Sequence, residues 1–174
     1  DAYKQVSTPK GHRYPDVNNA INNQIKEGTI LLNYSGHGGI LGWADEYVTT
    51  IPEINSWRNY NKLPLFVTAT CEFSRFDDPT ATSAGELVLL NEKGGAIAML
   101  TTSRLAYLHT NDDLTRDLYD SLFNITNGQG PALGDVFAYS KNCNPYDALK
   151  NFVLLGDPAM RLAYPEYKVI TSKV

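Results

Sequence analysis

Cysteine is scarce in this sequence: Cys71 and Cys143 are the only two among 174 residues. Two thiols cannot build a disulfide framework, although they could pair once. No Cys-x-x-Cys and no His-Glu-x-x-His occurs, so the common zinc spacings are absent. Basic residues are outnumbered, with 15 Lys and Arg against 19 Asp and Glu and a formal charge of −4. That balance gives no basic patch for nucleic acid. No apolar run approaches the ~18 residues that a membrane-spanning helix needs, and no secretory leader opens the chain. The sequence begins at Asp1 without Met, which predicts an excised piece of a longer protein. A chain of this length buries roughly 70% of its unfolded surface, so one domain needs no metal or disulfide staple.

What is present is an alternation of helix and strand patterns. Val17, Ile21 and Ile25 follow Asp16 at helical spacing, with Asp16 as expected N-cap and Gly28 as the stop. Short apolar strands are predicted at 29–34, 63–69, 96–102 and 152–155. Ser83-Ala84-Gly85-Glu86 is a capping box opening a helix to about 91. Further helices are predicted near Pro52, over 111–123 and over 132–142, with a Gly- and Trp-containing loop over 35–50. Residues 160–163 are expected to pair elsewhere, and the last ten read as a tail. Strands separated by helical crossovers imply an α/β domain with a parallel sheet. The segments leaving the four strands then gather at one carboxyl edge: Gly36-His37-Gly38, Cys71, Ser103-Arg104 and Gly156-Asp157.

That edge is where open α/β sheets place their chemistry, and a Cys with a His is a minimal set for acyl transfer through a thioester. An imidazole stabilises a thiolate and can later protonate a leaving amine. Backbone N–H groups must then hold the oxyanion, and Gly38 and Cys71 are the expected donors. Taken singly, Cys71 also reads as a buried structural thiol and His37 as a loop histidine. Trp43 could floor a pocket or pin its loop to the core. Glu46, Glu72, Ser103 and Arg104 are candidate substrate contacts, with a solvated loop for Glu46 and a surface ion pair for Arg104 as the plainer alternatives. The glycines of 36–42 are followed by no evident helix and no Lys-Ser/Thr, which disfavours a phosphate loop. Asp77-Asp78 before Pro79 reads as a turn, with a structural calcium as the other reading. No residue pattern requires a metal or cofactor. Cys143 falls late in a helical pattern, away from the strand ends.

Four segments carry a resemblance: Asn-Tyr-Ser-Gly-His-Gly-Gly at 33–39, Pro-Leu-Phe-Val-Thr-Ala-Thr-Cys-Glu-Phe-Ser-Arg-Phe-Asp-Asp-Pro at 64–79, Ser-Ala-Gly-Glu at 83–86 and Leu-Leu-Gly-Asp-Pro-Ala-Met-Arg-Leu at 154–162. Together they resemble the gingipain-type cysteine peptidases, most closely the PorU branch, the C-terminal signal peptidases (sortases) of type IX secretion. The resemblance implies a caspase-like three-layer sandwich over residues 1–163, with 164–174 as tail or linker. It implies His37 as general acid/base and Cys71 as nucleophile. It further implies removal of C-terminal sorting domains from secreted proteins and acyl transfer to an amine on lipopolysaccharide. An outer-membrane barrel shuttle would be the partner, and the cell surface the location.

Two departures limit that transfer. Only 36 residues precede His37, so an N-terminal portion carrying further sheet and an acidic partner for the histidine is expected to be missing. No third catalytic residue is assigned, and the sheet edge left open could pair with another copy. The loop after Cys71 also differs from that of Arg- and Lys-specific gingipains. The rival readings are a secreted gingipain-like endopeptidase and a caspase-like binding module that no longer catalyses.

Overall fold

A computed structural model describes residues 3–9, 11–126, 128–143 and 146–164. A short antiparallel hairpin, β1 (Val6–Thr8) with β2 (Gly11–Arg13), precedes α1 (Pro15–Glu27). Helix α1 starts two residues earlier than its side chains predict. Tyr14 is the N-cap and Asp16 lies in the first turn, because Pro15 has its φ already set for a first helical position. The chain continues through β3 (Leu31–Ser35) into β4 (Gly38–Gly39), β5 (Gly42–Trp43) and β6 (Thr49–Thr50). These last three form a small antiparallel sheet where sequence reasoning expects a loop. Then follow α2 (Ile51–Ser56), β7 (Leu65–Ala69), α3 (Ala84–Leu90) and β8 (Ala98–Thr102). Helices α4 (Leu108–Leu122) and α5 (Leu133–Asn142) lead through a 3-10 turn at Asp147–Asn151 to β9 (Phe152–Leu155).

The central sheet has the order β3-β7-β8-β9. Side chains alternate across it. Phe66 and Met99 join Ile25, Trp43, Ile54, Trp57 and Val88 in one core, on the side of α1, α2 and α3. Leu65, Val67, Ala98 and Leu100 join Leu118, Leu122, Leu133 and Val136 in another, on the side of α4 and α5. Strands β7 and β8 are buried throughout, as a sheet covered on both faces requires. The result is a three-layer α/β/α sandwich with a mostly parallel sheet. Strand β3 is one of the two edge strands of this sheet among the described residues, and its residues are half-buried or exposed.

One strand breaks the expected pattern. β3, β7 and β8 are parallel, but β9 runs antiparallel to β8, with Met99 opposite Leu155 and Thr102 opposite Phe152. Two helices, not one, separate β8 from β9, and the second crossing returns the chain to the edge it left. Gly156-Asp157 therefore lies at the opposite edge from His37 and Cys71, with Gly156 packed on Ala98. Residues 160–163 form no strand. The Met160 and Pro158 carbonyls instead accept from the Leu133 and Gly134 amides at 2.8 Å each, closing the N-terminus of α5. Of the expected tail, Tyr164 is anchored, its hydroxyl donating to the Leu122 carbonyl at 2.6 Å; 165–174 lie outside the described residues. The described helices include none long and apolar enough to cross a membrane.

Candidate active site

Strands β3 and β7 pair in parallel register from Leu31 opposite Leu65 to Ser35 opposite Ala69. The ladder runs one step further, with the Gly36 amide donating to the Ala69 carbonyl at 3.3 Å. His37 and Cys71 thus each stand two residues beyond the last pair, on strands spaced about 4.8 Å apart in a regular sheet. Gly38 keeps the two exits close: a Cβ there would meet Thr70 Oγ1 at 2.5 Å and the Gly42 carbonyl at 3.1 Å. The two cysteines are free thiols, Cys71 half-buried and Cys143 exposed. The Cys71 thiol donates to the Ala106 carbonyl at 3.6 Å. The Cys71 amide meets no acceptor among the described residues, which leaves it available to an incoming oxygen. The His37 ring is exposed, and no carboxylate among the described residues hydrogen-bonds it.

The backbone of the histidine loop is held by an aromatic strut. Tyr34 donates its hydroxyl to the His37 carbonyl at 2.6 Å, and the Ala44 amide donates to the same oxygen at 2.8 Å. The Tyr34 ring stacks on Trp43 at 4.6 Å with planes 8° apart. Trp43 in turn packs against Phe73, two residues past Cys71, at 5.4 Å. Burial, with Glu46 and Asp45 close by, pushes the Tyr34 hydroxyl up to about 12, so it stays a donor at neutral pH. Sequence reasoning missed Tyr34; its signal was an aromatic three residues before the histidine at a strand end.

The cysteine loop carries strain. Glu72, directly after Cys71, has φ of 49°, a left-handed conformation costing a non-glycine residue about 1–2 kcal/mol. Two strand-like bonds hold it there: the Glu72 amide to the Arg104 carbonyl at 3.2 Å and the Ser74 amide to the Thr102 carbonyl at 3.0 Å. Non-glycine strain of this sort concentrates at functional sites.

Helix α3 ties the two loops together. The first amides of a helix have no intrahelical acceptor. Here the Ala84 amide donates to the Ile40 carbonyl of the histidine loop, and the next, Gly85, to the Phe73 carbonyl of the cysteine loop, each at 2.8 Å. The Ser83/Glu86 capping box satisfies the rest: Ser83 N–H and Oγ donate to the Glu86 carboxylate at 2.8 and 2.6 Å, and the Glu86 amide reaches Ser83 Oγ at 3.5 Å. The capping box was legible in the sequence; the acceptors of the two amides were not.

The remaining candidates have separate places. Trp43 is 1% exposed and belongs to the core, so its ring faces no groove in this conformation. Ser103 is bound to the segment before β9, its amide and hydroxyl donating to the Asn151 carbonyl at 2.9 and 3.3 Å. Arg104 makes a two-pronged ion pair with Asp77, one prong at 2.6 Å, which joins the segment after β8 to the cysteine loop. Arg75 bridges Glu72 at 3.5 Å and Asp78 at 3.6 Å. Asp78 accepts from the Thr80 amide and hydroxyl, as a turn residue does. Both carboxylates of Asp77-Asp78 are thus engaged by protein groups. The described residues hold no cluster of three His, Cys, Asp or Glu side chains that could hold a metal. Glu46 is half-buried beside Tyr34. Glu72 and Gly38 help line a groove of about 460 Å³ along the histidine loop.

The three-layer sandwich, with chemistry-bearing residues at the carboxyl edge, defines a caspase-like α/β domain. The chain belongs to Peptidase family C25, whose profile matches residues 1–163. Among solved structures it is similar to the complex of Porphyromonas gingivalis RgpB pro- and mature domains, with a TM-score of 0.73 and 17% identity over 83% of this chain and 37% of that one. It is likewise similar to the Arg-specific cysteine proteinase gingipain R (RgpB), with a TM-score of 0.71 and 17% identity over 83% of this chain and 36% of that one. This chain therefore spans little more than a third of those proteins, and at such identity the likeness shows the fold alone. No curated protein sequence matches it.

Proposed function

We propose that this chain carries the catalytic pair of a cysteine peptidase, with Cys71 as nucleophile and His37 as general acid and base. The observation that carries the reading is the matched exit of the two residues from adjacent parallel strands, next to an unengaged Cys71 amide. The Cys71 thiolate attacks a peptide carbonyl, and the Cys71 and Gly38 amides receive the oxyanion. The C–N bond then breaks, the leaving amine takes the proton held by His37, and a thioester remains. Water or an amine, deprotonated by His37, attacks that thioester and releases Cys71. The test is site-resolved alkylation of Cys71 against pH, in the native chain and in His37→Ala. An assembled pair reacts well below pH 8 and loses this when His37 is removed. Free-thiol behaviour in both proteins refutes it and favours a binding module.

The resemblance of the 71–79 segment to the PorU branch supports a finer reading. Here the acyl group of a secreted protein, cut from its C-terminal sorting domain, passes to a lipopolysaccharide amine at the outer-membrane surface, beside a barrel shuttle. Adding an amine acceptor to a turnover reaction separates the alternatives: a ligated product supports transfer, and hydrolysis alone supports a secreted endopeptidase. The half-exposed edge of β3 supports strand pairing with a second copy; a concentration-independent monomer in solution would refute that.

A further inference from the structure

We propose that the groove beside the histidine loop is the subsite for the substrate residue on the amine side of the cleaved bond, and that Gly39 sets its size. This rests on the Cys71/His37 reading above.

The sheet order fixes the side. His37 leaves β3, Cys71 leaves the central β7, and the Leu105–Tyr107 segment that receives the Cys71 thiol follows β8. A proton can pass only to an amine lying on the His37 side of Cys71. The groove lies there, beginning at Gly38-Gly39 directly after His37 and reaching Glu72 directly after Cys71. The Leu105–Tyr107 segment does not line it.

Gly39 is the glycine that the fold does not explain. Every other glycine either has positive φ or has no room for a Cβ. A Cβ at Gly39 would meet nothing within 4 Å, and its φ lies outside the left-handed range. Neither conformation nor packing demands glycine there, yet the residue lines the groove. A missing side chain with no structural use leaves space for something that binds.

The walls give the occupant's chemistry. Ile40, Leu41 and Tyr47 line the groove, and Leu41 and Tyr47 are 60% and 47% exposed. Covering them with an apolar side chain removes that surface from water. The charged side chains of the lining are the carboxylates of Asp45 and Glu72. Arg75 pairs with Glu72, and Arg13 stacks over Tyr47 at the rim, so the site is not strongly cation-seeking, but it has no cation of its own lining to receive a carboxylate. The occupant is therefore a bulky uncharged apolar side chain, with acidic residues disfavoured.

The experiment uses the intact protein and internally quenched peptides that differ only at the residue after the cleaved bond: Leu, Gly or Glu. Leucine is expected to exceed glycine in kcat/KM by about tenfold, the equivalent of roughly half-burying a leucine side chain, and glutamate to fall below both. Gly39→Ala should narrow the Leu/Gly ratio and Gly39→Val should bring it to about one. Thermal unfolding and the pH profile of Cys71 alkylation should stay as in the parent, because a Cβ at this position meets no atom within 4 Å. An unchanged Leu/Gly ratio in Gly39→Val, or no leucine preference in the parent, overturns the proposal while leaving the catalytic pair intact. Failure of the underlying reading looks different: parent Cys71 then alkylates as a free thiol, and the subsite falls with it.

Discussion

Replacing Gly85 by alanine tests whether α3 positions both loops. A Cβ at Gly85 would overlap the Ser74 hydroxyl and lie 2.8 Å from the Phe73 carbonyl, the atom that accepts the Gly85 amide. Overpacking of this kind costs about 1–3 kcal/mol, and a displaced backbone bond about 1 kcal/mol more. Alanine's better helix propensity returns about 1 kcal/mol. The net expectation is a loss of about 2 kcal/mol, which for a domain of this size lowers the unfolding midpoint by roughly 4–8 °C. The functional readout matters more. Phe73 and Ser74 lie two and three residues from Cys71, so the loop must shift, and low-pH alkylation of Cys71 should be lost. Ser74→Gly in the same chain opens the space and should return part of both losses, giving a positive coupling in a double-mutant cycle. An unfolding midpoint within 1 °C of the parent, with an unchanged alkylation profile, refutes the argument that the helix amides hold the loops in place.

Tyr34→Phe removes one of two donors to the His37 carbonyl and keeps the stack on Trp43; a loss of about 1 kcal/mol in denaturant unfolding is expected, with a larger proportional fall in kcat than in KM. The same variant tests the alkaline limb. Tyr34 holds its proton up to about 12 when folded, against an ordinary 10, so its contribution is present below pH 10 and is lost as pH rises from 10 to 12; Tyr34→Phe should flatten stability over that window. Arg104→Ala frees Asp77, whose carboxyl the Arg104 guanidinium holds below its usual range. Because that pair is exposed, thermal stability should scarcely move, while proteolysis within 75–82 should speed up. In the parent, the pair's contribution is present above the ordinary carboxylate value and is lost as pH falls through Asp77's lowered one, so acid should produce the same proteolysis.

Much of this domain was legible because its signals are local or periodic. Fully apolar runs such as 96–100 report a strand buried on both faces, and Ser83-Ala84-Gly85-Glu86 reports a helix start, so three parallel strands and the shared edge of His37 and Cys71 followed. The reversal of β9 was misread although both helices between β8 and β9 were legible as periodic patterns: two crossings return the chain to the edge it left, so the fourth strand must run against the third. Trp43 was balanced between pocket and core because an aromatic in a glycine-rich loop suits either; its neighbours Tyr34, Phe66 and Phe73 come from three other segments. Arg104 had no visible partner, as Asp77 lies far back in the chain and meets it only through the β7–β8 pairing.

The arrangement of donors around the two loops gives the site a particular kind of robustness. The Ile40 and Phe73 carbonyls are held by successive amides of one helical turn, and the His37 carbonyl by an amide and a phenol. Most of these contacts are backbone to backbone, so substitutions at Ile40, Phe73 or Ala84 change packing but leave the donors in place. The sensitive positions are those where a side chain must be absent, Gly38 and Gly85, or where one must cap the helix, Ser83 and Glu86. Glu72 follows the same logic. Its left-handed φ is held by amide-to-carbonyl bonds on either side, and its side chain is left to face the groove. Strain is tolerated there because the loop is over-determined from β8 and α3 at once, and that is the condition under which a strained residue can stay beside a nucleophile without relaxing the strand end that aims it.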